Sequence, residues 1–424
     1  MKIDKGVDLR LTTHHILYDI YKKNITLNDS NVLKKIQKYN NQDISFIKNL
    51  CLNSMRYYFH SEKIIKLFAY KKIKTNAKLL LISGITQLVF MDVKDYAAIN
   101  STVEVAKKIN VFHGFINACL KKISLNRLKL KKIIVGYDDL PKWFKNEIQF
   151  LNKKDKNIFI ENFYKEPSLH LVFKNNTYKI KFEKEIVSTS ILSGFLDDKV
   201  KFEKLNSFRN GDWWIQDFSS FLPLSRIPNK LLNFDILDLC SAPGGKAFQL
   251  LSKNKRLVLN DKNKLRIELL KKNLKRLKFN AKISNHDVMN INTRKKYEFI
   301  ILDAPCSAVG TIRKNPEIFF KSKKPELKKL LNLQELMLDK SLDLLKVNGR
   351  ILYMVCSFLK CETFDQVDKF LEKHKNVSIE NEFLKDKKFE LDNFFRGKYI
   401  YTLPSKFKNH SIDGYFAVCL KKNN

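Results

Sequence analysis

The 424-residue sequence predicts an α/β protein in three parts: an all-helical N-terminal region, a small α+β linker segment, and a doubly wound Rossmann-like sheet. Three observations predict this. Apolar residues recur at helical spacing, and not in β-like alternation, up to about residue 132. From about residue 226, short apolar runs alternate with amphipathic helical patterns, as parallel strands and their crossover helices do. Glycine is scarce, 12 in all, yet two stand side by side at Gly244-Gly245, directly after one of those runs. The expected divisions are 1–132, 133–225 and 226–424.

In the first part, helical spacing is found in Leu9–Tyr21, Val32–Tyr39, Ile44–Phe59, Ile64–Tyr70, Ala77–Phe90, Ala97–Val111 and Phe115–Leu125. Asp43 and Asn100 stand where N-caps are expected. In the second part, Leu169–Phe173, Tyr178–Phe182 and Val200–Phe202 read as short strands, and Gly211–Asp217 leads into the sheet. In the third, strands are expected at Phe234–Leu239, Arg256–Asn260, Ala281–Ser284, Tyr297–Leu302, Arg350–Val355 and Tyr415–Leu420. Helices are expected at Lys246–Ser252, Leu265–Leu277, Leu327–Leu345 and Phe364–Lys373. A parallel sheet built this way carries its ligands at the C-terminal ends of its strands.

Composition narrows the function. The net charge is +36, from 80 Lys+Arg against 44 Asp+Glu. An AT-rich genome drifts towards Lys, Asn, Ile and Phe, but drift does not explain why acidic residues fail to keep pace. A polyanionic partner does. The first 132 residues hold 25 basic and 9 acidic residues, the density a nucleic-acid-binding module requires. No apolar stretch reaches the roughly 18 residues of a membrane span, the longest, Leu79–Met91, being interrupted by Ser83, Thr86 and Gln87. The N-terminus lacks the apolar core of a secretion signal. The seven cysteines show neither CxxC nor CxxH spacing, which argues against a disulfide framework and against a metal site. A soluble cytoplasmic protein is expected, as a monomer.

Three segments carry chemistry. The first is Asp238-Leu239-Cys240-Ser241-Ala242-Pro243-Gly244-Gly245-Lys246, after a strand and opening a helix. Adjacent glycines let backbone approach a ligand closely, and helix N-terminal amides meet negative groups. The spacing is neither GxGxxG nor a P-loop. Asp261 ends the next strand, where a carboxylate reaches ribose hydroxyls, and Asp287 follows the third strand, placed to meet an adenine edge. The second segment is Asp303-Ala304-Pro305-Cys306-Ser307-Ala308-Val309-Gly310, at the end of the fourth strand. The third is Val355-Cys356-Ser357, at the end of the fifth. Cys306 and Cys356 thus fall on the ligand-bearing edge of one sheet. Cys51, Cys119 and Cys419 read as core residues, and Cys361 as a helix start without a role.

These segments resemble the three signature motifs of the S-adenosylmethionine-dependent RNA cytosine-C5 methyltransferases, the Fmu/Sun family. The likeness extends from Gln216-Asp217 to Asp413-Gly414-Tyr415-Phe416. The helical part resembles the NusB antitermination-factor fold, notably at Ala97–Glu104 and the Gly114-Phe115-Ile116-Asn117 turn. The departures are Val355 where the family usually has Thr, Ser241 where it has Ala, and Ala247 where it has Thr.

The resemblance implies a class I methyltransferase sheet with S-adenosylmethionine as cofactor and 16S ribosomal RNA as partner, with neither DNA nor a membrane. Cys356 is implied as the nucleophile, Cys306 as the group that assists breakdown of the adduct, and Asp303 as a contact to N3 of the base. Cofactor binding is implied for Cys240, Ser241, Ala242, Pro243, Gly244, Gly245, Lys246, Asp261, Asp287 and Asp303. Such chemistry needs a thiolate and hence a nearby positive charge, for which Lys246 is a candidate. Arg313 and Lys314 would hold phosphates, and Trp213 or Trp214 would stack on bases. The alternatives are transfer RNA or large-subunit RNA as substrate, and a non-catalytic RNA-binding protein. In DNA-modifying counterparts the cysteine after proline is the nucleophile, and Cys356 would not be needed.

Overall fold

The structure is a computed structural model that describes residues 4–69, 72–197, 200, 202–253, 256–380 and 392–424. The chain forms two compact units. One runs to Asn146 and takes in Ile312–Pro325; the other comprises Glu147–Thr311 and Glu326–Asn424.

The first unit is helical, as its periodicity predicts. Helices run over Lys5–Lys23, Ser30–Ile36, Asn41–Arg56, Tyr58–Phe68, Thr75–Ile85, Asp95–Lys108 and His113–Leu125. The end expected at Tyr70 lies outside the described residues. The Ile44–Phe59 run is broken at Tyr57, which leaves helical geometry. The Ala77–Phe90 run ends as a π-helix over Thr86–Phe90. There Thr86 Oγ1 donates to Ile82 O at 2.8 Å and Gln87 Nε2 to Ser83 O at 3.2 Å. Such side chains compete with backbone donors for the same carbonyls and loosen the turn. Neither expected N-cap has that role. Asn40 Oδ1 accepts from the Asp43 amide at 2.9 Å and is the cap, while Asn100 lies inside its helix. The cap falls one turn earlier because the first apolar residue of an amphipathic helix need not be its first residue.

Fully buried Ile16, Leu17, Ile20, Ile47, Leu50, Cys51 and Ile82 form the core of this unit. The Ile312–Pro325 segment joins it through Phe320, edge-on to Tyr21 and Tyr58, and Phe319, edge-on to Phe144. Arg56 donates to Arg313 O at 3.2 Å. The Arg313 side chain itself is fully buried. A guanidinium that water cannot reach is no surface contact for a phosphate, so that expectation is corrected.

The second unit begins with a small antiparallel sheet of β1 (Leu169–Phe173), β2 (Val187–Ser190), β3 (Ser193–Leu196) and β4 (Trp213–Ile215), in the order β2-β3-β1-β4. Tyr178–Phe182 is not a strand. Residues Asn176–Ile180 form a helical turn, because Asn175 Oδ1 accepts from the Tyr178 amide at 3.0 Å and caps it. Of the Val200–Phe202 run, Lys201 lies outside the described residues and Phe202 opens a 3₁₀ turn. Trp213 and Trp214 are both buried, their indole N–H groups donating to Ser207 Oγ and Gln216 Oε1 at 2.9 and 3.0 Å. Neither presents a face to a base.

The large sheet follows: β5 (Ile236–Asp238), β6 (Leu257–Asn260), β7 (Lys282–Ser284), β8 (Tyr297–Asp303), β9 (Leu345–Val355), β10 (Val377–Ile379), β11 (Phe395–Arg396), β12 (Tyr399–Thr402) and, after the hairpin β13 (Ser405–Phe407) and β14 (His410–Ile412), β15 (Tyr415–Lys422). The order is β11-β12-β15-β9-β8-β5-β6-β7, with β10 on β15. Strands β7 to β9 are parallel as expected, but β15 pairs antiparallel with β9. After the Phe364–Lys373 helix no crossover pattern is left in the sequence, and an antiparallel neighbour needs none. The sheet reverses direction of growth at β5, which makes the C-terminal end of β5 the natural ligand crevice. Val172, Phe195 and Trp214 of the small sheet share one core with Ile236, Leu259, Phe299 and Leu352 of the large one.

Candidate active site

The crevice starts where β5 ends. Asp238 is buried; its Oδ1 accepts from the Cys240 amide at 3.3 Å and its Oδ2 has no partner. Burial, and then the nearby charge of Asp303, push this carboxyl up to about 7, with Lys246 opposing. The chain then turns through Gly244, at φ +119°, into the Gly245–Leu251 helix. A Cβ on Gly244 would lie 2.0 Å from the Phe248 ring, so the turn requires glycine. Gln216 Nε2 donates to Gln249 Oε1 at 2.9 Å and braces this helix.

Because the folded protein holds the Asp238 proton more tightly than the unfolded chain does, this group stabilises the fold fully below about pH 4. That stability is lost as the pH rises through about 7. Asp238→Asn is therefore expected to gain on the wild type in unfolding free energy between pH 5 and pH 8, without cofactor, by at most about 3 kcal/mol, read as a converging or crossing of their melting temperatures. Parallel pH profiles for the two proteins would disprove it.

Asp261 braces the same loop, accepting from the Ala242 amide at 3.2 Å and the Asn263 amide at 2.8 Å. The Ser241 amide and hydroxyl donate to Asn260 O. Pro243 is exposed, and Cys240 and Lys246 are partly buried. Asp287 caps a 3₁₀ turn through the Met289 amide at 3.1 Å and stands 3.8 Å from Lys262.

Asp303 ends β8 beside this loop. Its Oδ2 accepts from Lys246 Nζ at 2.7 Å and its Oδ1 from the Tyr415 hydroxyl at 3.0 Å. Tyr415 is the first residue of β15. As β15 runs antiparallel to β9, its start lies at the same edge as the ends of β8 and β9. Burial works to lower the Lys246 ammonium, but the Asp303 carboxylate, with help from Cys356, carries it above its ordinary value. The Tyr415 hydroxyl is held well above its ordinary value by burial and by Asp303, and so stays a donor.

Cys306 and Cys356 meet with their sulfurs 3.3 Å apart. The hydrogen bond to Cys356, burial, and the charges of Cys356 and Glu362 push the Cys306 thiol well up. Either sulfur can donate in this contact, and the upward push on Cys306 favours it as the donor. Gly310 lets the second motif close on the C-terminal one: a Cβ there would lie 1.9 Å from Gly414 O, and the Gly414 amide donates to Gly310 O at 2.8 Å. Cys361 lies 3.5 Å from Glu147, with its thiol pushed up by burial and that charge. Cys51, Cys119 and Cys419 are buried.

The loop Cys240–Lys246, Asp303, Cys306 and Cys356 are thereby brought together, with Asp261 behind the loop and Asp287 further along the same edge. The pairing of Tyr415 with Asp303 is not read from the motif alone, although Tyr415 stands in it. Glu362 carries no sequence signal beyond its place beside Cys361. Among the described residues there is no cluster able to hold a metal ion, and no helix long and apolar enough to cross a membrane.

Comparison with known proteins agrees with this geometry. Residues 229–421 match the family model described as 16S rRNA methyltransferase RsmB/F, and residues 8–125 match the NusB family. The ribosomal RNA small subunit methyltransferase B of Shewanella oneidensis is 28% identical over 400 residues, 88% of this chain and 92% of that protein. The crystal structure of PH0851 is similar over the full length of both chains, at TM-score 0.71 and 18% identity. That of NSun6 from Pyrococcus horikoshii, solved with SFG, covers 67% of this chain and 98% of its own, at TM-score 0.56 and 16% identity. At these identities the two structures bear on the fold. By these matches the chain resembles the 16S rRNA methyltransferase RsmB/F family over residues 229–421 and the NusB family over residues 8–125.

Proposed function

We propose that this protein transfers a methyl group from S-adenosylmethionine to C5 of a cytosine in 16S ribosomal RNA, through a covalent adduct between Cys356 and C6 of the base. The observation that carries the reading is the pair of thiols at 3.3 Å beside the Lys246–Asp303 ion pair. The cofactor fits the residues present. The orphaned, buried Asp238 oxygen and the side-chain-free turn at Gly244 suit a ligand with a cationic group that approaches backbone closely. Residues Cys240–Lys246 with Asp261, Asp287 and Asp303 would hold it. Its contribution is an electrophilic methyl group.

The chain's own residues do the rest. Cytosine C5 is a poor nucleophile until a group adds to C6. The Cys356 thiolate forms the S–C6 bond as the C5=C6 electron pair shifts to C5, which gains the nucleophilic character it lacks in the free base. Asp303, fixed by two donors, contacts the pyrimidine at N3 as charge develops on the ring. A base, for which water serves, takes the C5 proton; the C–H electron pair re-forms the C5=C6 bond and the thiolate leaves with the S–C6 pair. Cys306 assists that step by hydrogen-bonding to the departing sulfur. Lys246, beside Cys356, favours the thiolate throughout.

The basic helical residues 1–132 serve as the RNA-binding part, with 133–225 as linker and substrate-facing segment and 226–424 as the methyltransferase. The enzyme acts as a cytoplasmic monomer on RNA, not DNA. Bisulfite sequencing of ribosomal RNA from cells with and without the protein tests the reading. One small-subunit cytosine should lose protection when the protein is absent. A change in transfer RNA or large-subunit RNA instead would reassign the substrate, and no change in any RNA would sink the reading.

A further inference from the structure

Glu362 is a fully buried carboxylate in the turn that follows Cys356. Three donors converge on it: the Ser307 amide at 2.7 Å and Gln334 Nε2 at 3.2 Å on Oε1, and the Ser307 hydroxyl at 2.5 Å on Oε2. A group that only accepts is what these donors require. No Lys or Arg pairs with it among the described residues. Ser307 follows Cys306, and its hydroxyl lies 3.4 Å from that of Ser357, which follows Cys356. Gln334 also donates to Pro305 O at 2.9 Å, on the other side of Cys306. The Cys306 loop is therefore tied directly to a buried carboxylate, and the Cys356 loop reaches it through the contact of Ser357 with Ser307.

We propose that Glu362 is the positioning residue that makes the two cysteines chemically unequal. Its carboxylate clamps Ser307 and sets a buried negative charge beside Cys306, so that Cys306 holds the shared proton and Cys356 carries the thiolate. The surroundings are asymmetric in the required sense. The ionisable groups facing Cys306 are Cys356, Glu362, Tyr353 and Tyr415. All of them are neutral or negative. Cys356 faces Cys306 and Tyr415 as well, but also the Lys246 ammonium. Tyr353 bonds to the Glu362 carbonyl at 2.9 Å, and burial pushes its hydroxyl well up, so it adds no charge. Two sulfurs in contact are therefore divided by a cation on one side and an anion on the other.

The inference rests on the proposed reaction for its purpose, but its test needs neither RNA nor cofactor. The full-length protein is treated with iodoacetamide at pH 7.5, and the peptides containing Cys306 and Cys356 are followed by mass spectrometry. Each event replaces iodide by a thioether, at a rate set by the thiolate fraction. Both cysteines are partly buried, and because Glu362→Gln keeps the shape around them, the change in ratio between wild type and variant reports charge and not access. In the wild type Cys356 should react at least tenfold faster than Cys306. In Glu362→Gln, which keeps the shape and removes the charge, that ratio should fall about tenfold, the equivalent of one pKa unit. Glu362→Asp, which keeps the charge on a shorter arm, should retain the preference while kcat falls. The wild-type ratio is read first and depends on no variant folding. Equal labelling in the wild type, or a wild-type ratio in Glu362→Gln, overturns the proposal. A preserved ratio in a protein that transfers no methyl group to any RNA would instead overturn the reaction it is meant to serve.

Discussion

Cys356→Ala is expected to abolish methyl transfer to RNA, by a factor on the order of 10⁴ or more, and to form no protein–RNA adduct. The size of the effect follows from the chemistry. Without sulfur adding to C6, C5 has no enamine character, and no neighbouring side chain supplies a substitute. Cys306 lies only 3.3 Å from the missing sulfur; its contact with Cys356, the largest cause of its upward shift, is gone in this variant, but burial and the charge of Glu362 still push its thiol up. The fold should be little affected. Cys356 is partly buried, and Val355 before it holds its place in the sheet through pairing with Phe416. The check is transfer of radiolabelled methyl to ribosomal RNA, with the melting temperature as control. Residual activity within tenfold of the wild type would show that Cys356 is not the nucleophile.

Cys306→Ala has the opposite appearance. Methyl transfer to the base is expected to proceed once without release of the thioether, so that a covalent protein–RNA species accumulates and survives denaturing gels. In the structure the Cys306 thiol stands 3.3 Å from the Cys356 sulfur, within reach to donate to the atom that must leave as thiolate. Removing that donor raises the energy of the departing group, while leaving Lys246 to support the initial attack. Turnover is expected to fall by two or more orders of magnitude, with the first round of chemistry nearly intact. If adduct formation were lost in Cys306→Ala and kept in Cys356→Ala, the two roles would be exchanged.

The site was largely legible in the sequence because its parts are local. A glycine pair after a strand, and cysteines at strand exits, are backbone facts that spacing reports, and Gly244 and Gly310 stand where a Cβ would collide. Where prediction failed, a longer-range or competing interaction decided. Tyr178–Phe182 has strand-like alternation, but the Asn175 side chain caps a helical turn first. Trp213, Trp214 and Arg313 have the right chemistry for RNA, yet all three are buried. Glu362 was invisible because its partners Ser307 and Gln334 lie 55 and 28 residues away in the chain.

The sequence by itself determined the helical and the α/β regions, the glycine turn that follows a strand and the placement of two cysteines at strand exits, since periodicity, glycine placement and strand ends are properties of short segments. Tertiary structure alone decided how those residues act on one another. The order of β15, β9, β8 and β5 puts Tyr415, Cys356, Asp303 and the Gly244 turn along one edge. The antiparallel entry of β15 delivers Tyr415 to Asp303, and the loop around Glu362 sets a charge beside one sulfur and not the other. Protonation depends on distance and burial, and those quantities exist only once the strands have paired.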